Sequence, residues 1–316
     1  MIINMRRFGF WIFCTLILLA SCDSPDDKKG RFLLKGNAKM QEGDFQSARE
    51  FYNEAIQIDP RFSEAYYNRG ITYLRTSDFE SAIRDFSQAI ELKQDYSDAY
   101  YQRSLAYFDN GEYYNSLSDA NHLTSLENQS HRGYFLKGLG NEALKNYPEA
   151  LSAFDTAIHL EKENPDLFVN RATIYFYLQN LEMALEDLAV AEKLNPQEPN
   201  IYNLRSMIAF EQGEYREALE WVEQAIKLNS GQAYYYNNRG LYRLFLGDFE
   251  DGLEDINLSL KQDSRNLFAL RNKGIYYQLT GNKELAIKYL KEVYEKDQQI
   301  PLTFKFLQKA DSLPSS

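Results

Sequence analysis

Beyond residue 22 the chain has no cysteine, because its two thiols, Cys14 and Cys22, both lie at the start of 316 residues. The body of the protein is thereby denied a disulfide, a catalytic thiol and a cysteine zinc ligand. Histidine is nearly as scarce. His122, His131 and His159 are the only three, and none stands at metal-ligand spacing from another, so no metal site is expected. Positive charge is in deficit, with 35 Lys and Arg against 46 Asp and Glu and a net charge of −11. Neutralising a phosphate backbone needs a basic excess, which excludes nucleic acid as a partner. Long apolar runs are missing as well. The longest mostly apolar stretch, 8–20, is 13 residues, short of the roughly 20 that a membrane-spanning helix needs. What the chain has in abundance is aromatic: 24 tyrosines, in a composition 44% hydrophobic and 26% charged that marks an ordered protein.

The short apolar run follows Arg6 and Arg7, the pattern of a secretory signal. It ends in Leu19, Ala20, Ser21 and Cys22, which resembles the lipobox cut by bacterial lipoprotein signal peptidase. That resemblance implies a signal peptide over 1–21 and acylation of Cys22, with enough chains for stable membrane anchoring. Residues 22–28 then form a polar linker, and Cys22 to Gly30 reaches at most about 28 Å when extended. Asp23 behind the cysteine resembles an inner-membrane retention signal in one lineage and an export signal in others, so the choice of membrane stays open.

From Lys29 the chain repeats every 34 residues, with repeats starting at Lys29, Ser63, Ser97, His131, Pro165, Pro199, Ala233 and Leu267. Position 8 of each is small: Gly36, Gly70, Ser104, Gly138, Ala172, Ser206, Gly240 and Gly274. Position 20 is also small: Ala48, Ala82, Ser116, Ala150, Ala184, Ala218, Gly252 and Ala286. Two helices can cross closely only where such residues meet. Position 17 is aromatic or leucine except for Lys283, a departure expected to weaken the eighth repeat. Position 16 is Asp, Asn or Glu, types suited to cap a second helix; Asn146 is read as a cap, with Pro148 in the first turn and Glu149 reaching back. Pro60, Pro165, Pro196 and Pro199 fall between repeats.

The length and the small-residue phase resemble the tetratricopeptide repeat (TPR) over residues 29–300. The resemblance implies an all-α solenoid of eight helix hairpins wound as a right-handed superhelix with a concave face. Residues 301–316 read as a capping helix and tail, with Leu302, Phe306, Leu307, Ala310 and Leu313 on one face.

Position 7, usually leucine in the family, is basic in all eight repeats: Lys35, Arg69, Arg103, Lys137, Arg171, Arg205, Arg239 and Lys273. One reading is a cationic stripe for anionic ligands. The other is structural, because position 23 is Asp in four repeats and position 7 is arginine in each of those. Arg69 with Asp85, Arg103 with Asp119, Arg171 with Asp187 and Arg239 with Asp255 are thus expected to pair as bidentate bridges.

In the family, positions 2, 5, 9, 12 and 13 of the first helix line the groove. The resemblance therefore assigns Asn37, Tyr67, Arg75, Tyr101, Asp109, Phe135, Tyr177, Asn203, Tyr234, Asn237 and Arg271 to partner binding. Aromatic residues at positions 5 and 12 have the alternative of packing between neighbouring helices. The lysine–asparagine clamp that some relatives use for a C-terminal carboxylate is absent from the first repeat, where Leu33 accompanies Asn37. Residues 138–143 match a dinucleotide fingerprint by letter but follow no strand. Acidic clusters such as Glu220 with Glu223, or Asp251 with Glu254, fall on outward-facing second helices. No cofactor and no enzymatic activity are expected. The expectation is an envelope adaptor that binds proteins or extended peptides in its groove and the membrane through Cys22. The alternative is a glycan- or peptidoglycan-binding lipoprotein that stacks sugars on its tyrosines.

Overall fold

The computed structural model describes residues 24–313. The proposed signal peptide, the lipobox and Cys22 lie outside the described residues. Seventeen helices make up the described chain, paired in antiparallel hairpins as an α-solenoid. They run α1 Pro25–Gln41 and α2 Phe45–Ile58, α3 Ser63–Arg75 and α4 Phe79–Leu92, α5 Ser97–Asp109 and α6 Tyr113–Leu126, α7 His131–Ala143 and α8 Tyr147–Leu160. Next come α9 Pro165–Tyr177 and α10 Leu181–Leu194, α11 Pro199–Glu211 and α12 Tyr215–Leu228, α13 Ala233–Leu246 and α14 Phe249–Gln262, α15 Leu267–Leu279 and α16 Lys283–Lys296, with α17 Thr303–Asp311 last. The chain divides into two compact units, the first ending at Ala106 and the second beginning at Tyr107.

Small residues hold the hairpins together as their phase requires. Every residue at positions 8 and 20 is buried. A Cβ added at Gly70 would stand 2.7 Å from the ring of Phe86, so the close crossing of α3 over α4 has no room for a side chain. The turn between helices demands a left-handed residue at position 15, and Gly43, Gly111, Gly213, Gly247 and Gly281 supply it at no steric cost. Ser77, Lys145 and Gln179 hold the same conformation without being glycine.

Several local expectations need correction. The linker expected over 22–28 is helical from Pro25, because Ser24 and Asp27 form a capping box that starts α1 early. Asn146 does not cap α8. Pro148 has no N–H to offer in the first turn, and the Asn146 Nδ2 points back to Asn141 Oδ1 at 3.5 Å. Asp44, Asp78, Asn180 and Asn282 do accept from the amide three residues on.

Lys283 is not merely a lost aromatic. Its Nζ donates to the carbonyls of Asp311 at 2.9 Å and Leu313 at 2.6 Å, so it closes the C-terminal end of α17. That helix caps the solenoid by burying Phe306 and Ala310.

The basic residues of position 7 sit at the seams. Arg69 is bidentate to Asp85, with Nε–Oδ2 2.7 Å and Nη2–Oδ1 2.6 Å, and Nη1 donates back to Asn53 of the preceding repeat at 2.6 Å. Arg171 repeats this with Asp187 at 2.8 and 2.6 Å and with Asp155 at 2.7 Å. Arg239 binds Asp255 at 2.8 and 2.7 Å, and Arg243 joins from one turn on at 2.8 Å. Arg103 donates to Ser87 at 2.9 Å and Lys273 to Asn257 at 2.9 Å, while Asp119 is buried. One cation thus joins its own hairpin to the helix before it. Burial pushes the Asp85 carboxyl up despite Arg69, whereas the Asp187 hydrogen bond raises Arg171 against the pull of desolvation.

Candidate functional site

Within the second unit, the first helices of successive hairpins and the 297–302 loop enclose a cavity of about 850 Å³. The loop approaches the α7–α8 turn, where Lys145 Nζ donates to Gln299 Oε1 at 2.6 Å. The lining follows the helical register. Position 12 contributes Phe108, Glu142, Phe176 and Phe210 from four consecutive repeats, and Met207, Leu241, Tyr242 and Phe268 extend the apolar wall.

Tight ring packing makes that wall rigid. Phe210 stacks on Tyr242 at 5.1 Å and meets Phe245 edge-on at 5.1 Å. Tyr147 stacks on Tyr177 at 5.4 Å. The Tyr242 hydroxyl shares a buried hydrogen bond with Ser206 Oγ at 3.1 Å.

Two charged groups stand in this apolar setting with little water. Burial pushes the Glu142 carboxyl up to about 7. Arg271 is only 5% exposed, and desolvation lowers it to about 10. Its Nε donates to Asn272 Oδ1 at 2.9 Å and Nη1 to the Pro301 carbonyl at 3.1 Å, both neutral acceptors. Amide side chains complete the lining. Asn170 Nδ2 donates to the Asp166 carbonyl at 2.7 Å, and Asn238 Nδ2 to Asn203 Oδ1 at 3.0 Å. Among the described residues nothing gathers three or more potential metal ligands.

Of the residues assigned to the groove by sequence, the cavity brings together Tyr177 and Arg271. Asn203 and Asn237 are instead buried between neighbouring hairpins, where they accept from Asn238 at 3.0 Å and from Asn272 at 2.8 Å. Phe135 packs on Phe154 at 6.3 Å. Tyr234 is outside the cavity lining, its hydroxyl donating to Asn200 at 2.8 Å. Asp109 is exposed at the end of α5.

In the first unit, Asn37 accepts from Tyr52 at 2.8 Å and Asn68 at 3.0 Å. Tyr67 packs between Phe86 and Tyr96 at 5.8 and 5.0 Å. Arg75 is exposed, and Tyr101 is half-buried. Position 5 therefore faces the neighbouring hairpin more than solvent.

Sequence reasoning placed position 12 on the groove but assigned none of its residues, and it missed the C-terminal loop. Reading position 12 across successive repeats would have found those residues. It also missed the position 4 rings under the seam cations: Tyr66 beneath Arg69 at 5.4 Å, Phe168 beneath Arg171 at 5.9 Å and Tyr236 beneath Arg239 at 5.3 Å. The signal was an aromatic three residues before each cation, one helical turn away.

Sequence models described as TPR repeat or tetratricopeptide repeat match residues 36–77, 63–96, 135–199 and 199–231. No curated protein sequence matches the chain. Among solved structures, a chain of the APC/C hetero-tetramer Cut9-Hcn1 superposes with TM-score 0.69 at 15% identity over 92% of this chain, which spans 57% of that one. MamA from Desulfovibrio magneticus RS-1 gives 0.51 at 16% identity over 55% of this chain and 99% of its own. Pseudomonas aeruginosa PilF gives 0.53 at 14% identity over 67% of this chain and 96% of its own. At these identities the likeness is one of fold.

Proposed function

Because the chain is a tetratricopeptide-repeat protein, we propose that it serves as an adaptor of the bacterial cell envelope, lipid-anchored at Cys22, that binds partner proteins in the cavity of its second unit. The observation that carries this reading is the cavity lining itself, where rigid aromatic walls alternate with side-chain amides. Aromatic rings bury apolar partner side chains at low entropic cost, and amides satisfy the partner's backbone. Rings that already stack on one another, as Tyr147 does on Tyr177, have less free face for a sugar, which favours a peptide. The anchor rests on the Leu19–Cys22 match.

Cross-linking in cells and capture of the full chain tests the adaptor role. The expected result is a reproducible set of envelope proteins whose yield falls when Phe210 is replaced by alanine and, for membrane recovery, when Cys22→Ala blocks acylation. Incorporation of a labelled fatty acid into the wild-type chain and its loss in C22A is the readout for the anchor. A chain that stays membrane-bound and unlabelled in both forms would overturn the lipidation, and one that captures nothing above an unrelated lipoprotein would overturn the adaptor.

A further inference from the structure

Arg271 differs from the half-buried arginines of the seams in what compensates it. Each of Arg69, Arg171 and Arg239 has a carboxylate at 2.6 or 2.7 Å. Arg271 is more deeply buried than these and, among the described residues, has no carboxylate at ion-pair distance; its partners are the Asn272 amide, the Pro301 carbonyl and the Phe268 ring beneath it at 5.3 Å. A guanidinium carries five N–H donors, and taking its charge out of water is costly unless an anion meets it. Glu211 attracts it only from beyond ion-pair range. The missing anion therefore belongs to whatever fills the cavity.

Strain at the rim points the same way. Lys145 and Gln179 both line the cavity and both hold φ near +60° at position 15, where most repeats use glycine. Non-glycine residues persist in that conformation where the surroundings favour keeping the side chain. The walls also define the rest of the ligand. The Oδ1 atoms of Asn170 and Asn238 receive no hydrogen bond among the described residues, since both amides are engaged through Nδ2. They suit the N–H groups of an extended backbone. Phe176, Phe210 and Phe268 suit apolar side chains on either side. Glu142, Glu211 and Asp297 stand in the same walls and would repel a polyacidic segment.

We propose that the cavity of the second unit reads an extended partner segment carrying one internal Asp or Glu among apolar residues, with that carboxylate seated on Arg271. The assignment rests on the adaptor reading and sharpens it.

Display of short random peptides against the full chain tests it, followed by titration of the selected consensus peptide. Wild-type protein is expected to select an acidic residue at one fixed internal position with apolar neighbours. Arg271→Met should weaken that peptide roughly ten-fold or more, the usual worth of a hydrogen bond to a charged group. Replacing the peptide's acid by its amide should cost as much against wild type and nothing further against R271M. An equal loss against both proteins, or an acid selected only at a free C-terminus, overturns the assignment.

Should R271M fail to fold, the double variant Lys145→Gly with Gln179→Gly removes two rim side chains while relieving their backbone. It is expected to bind the consensus peptide several-fold more weakly with no fall in Tm, and unchanged affinity would remove the cavity as the binding place. Peptides bound without acid preference overturn the Arg271 assignment alone. Failure to select any peptide overturns the adaptor reading with it.

Discussion

At the seams of the hairpins, half-buried arginines lie against buried carboxylates, as Arg171 does on Asp187 and Arg239 on Asp255. In the cavity of the second unit the more deeply buried Arg271 meets two neutral oxygens and the Phe268 ring, and the carboxyl of Glu142 is held protonated up to about 7. The two regions use the same side chains under opposite bookkeeping. Charge matched inside the chain stabilises the chain. Charge left unmatched in a concave wall raises the energy of the empty protein and lowers that of a complex.

The largest test of this contrast is Asp255→Ala. It strands both Arg239 and Arg243 without their shared carboxylate, and breaking such a buried pair costs about 3–5 kcal/mol. Chemical denaturation should show it, and a loss under about 1 kcal/mol would make the seam pairs ornamental.

Next in size is Glu142→Gln. As pH rises from the ordinary 4.5 through about 7, the unfolded chain releases a proton that the folded protein keeps, so wild-type stability falls across that window. The variant is spared this. It should be more stable by about 1–3 kcal/mol at pH 8 and equal to wild type near pH 4. An advantage that is the same at both pH values would place the cause elsewhere.

A smaller effect of the same sign is expected for Arg271→Met. Replacing an unmatched buried charge by an apolar group should leave stability unchanged or raise it by up to about 2 kcal/mol. A thermal melt showing marked destabilisation would return Arg271 to the structural class.

Smallest is Lys283→Met. Its ammonium meets the last carbonyl of α17, that of Asp311, and the Leu313 carbonyl just beyond it, where a cation at a helix C-terminus is worth about 0.3–1 kcal/mol. Hydrogen exchange should report loosening confined to α17, and unaltered protection there would deny the contact any role.

The hairpin fold was legible because its cause is periodic. Two close crossings per repeat require small residues at fixed phase, and Gly138 or Ala150 announces this without any knowledge of the partner helix. The Arg–Asp seams were legible for a related reason: the correlation between positions 7 and 23 acts within one repeat. The cavity was much less so. Tyr177 and Arg271 share it although 94 positions apart in sequence, and Asn237, with the same groove assignment, turned out to be buried.

Lys283 shows the limit from the other side. By sequence it is a missing aromatic, and only the position of α17 reveals that its ammonium finishes the last helix.

The sequence by itself determined the frame of the hairpins from the second onward, the small residues at each hairpin crossing and the carboxylates that Arg69, Arg171 and Arg239 find within their own repeats. All of these depend on interactions within or between adjacent repeats. The tertiary structure alone decided that position 12 of four hairpins and the 297–302 loop would converge on one cavity. Small rotations accumulate from one hairpin to the next, and no local pattern in the chain records their sum.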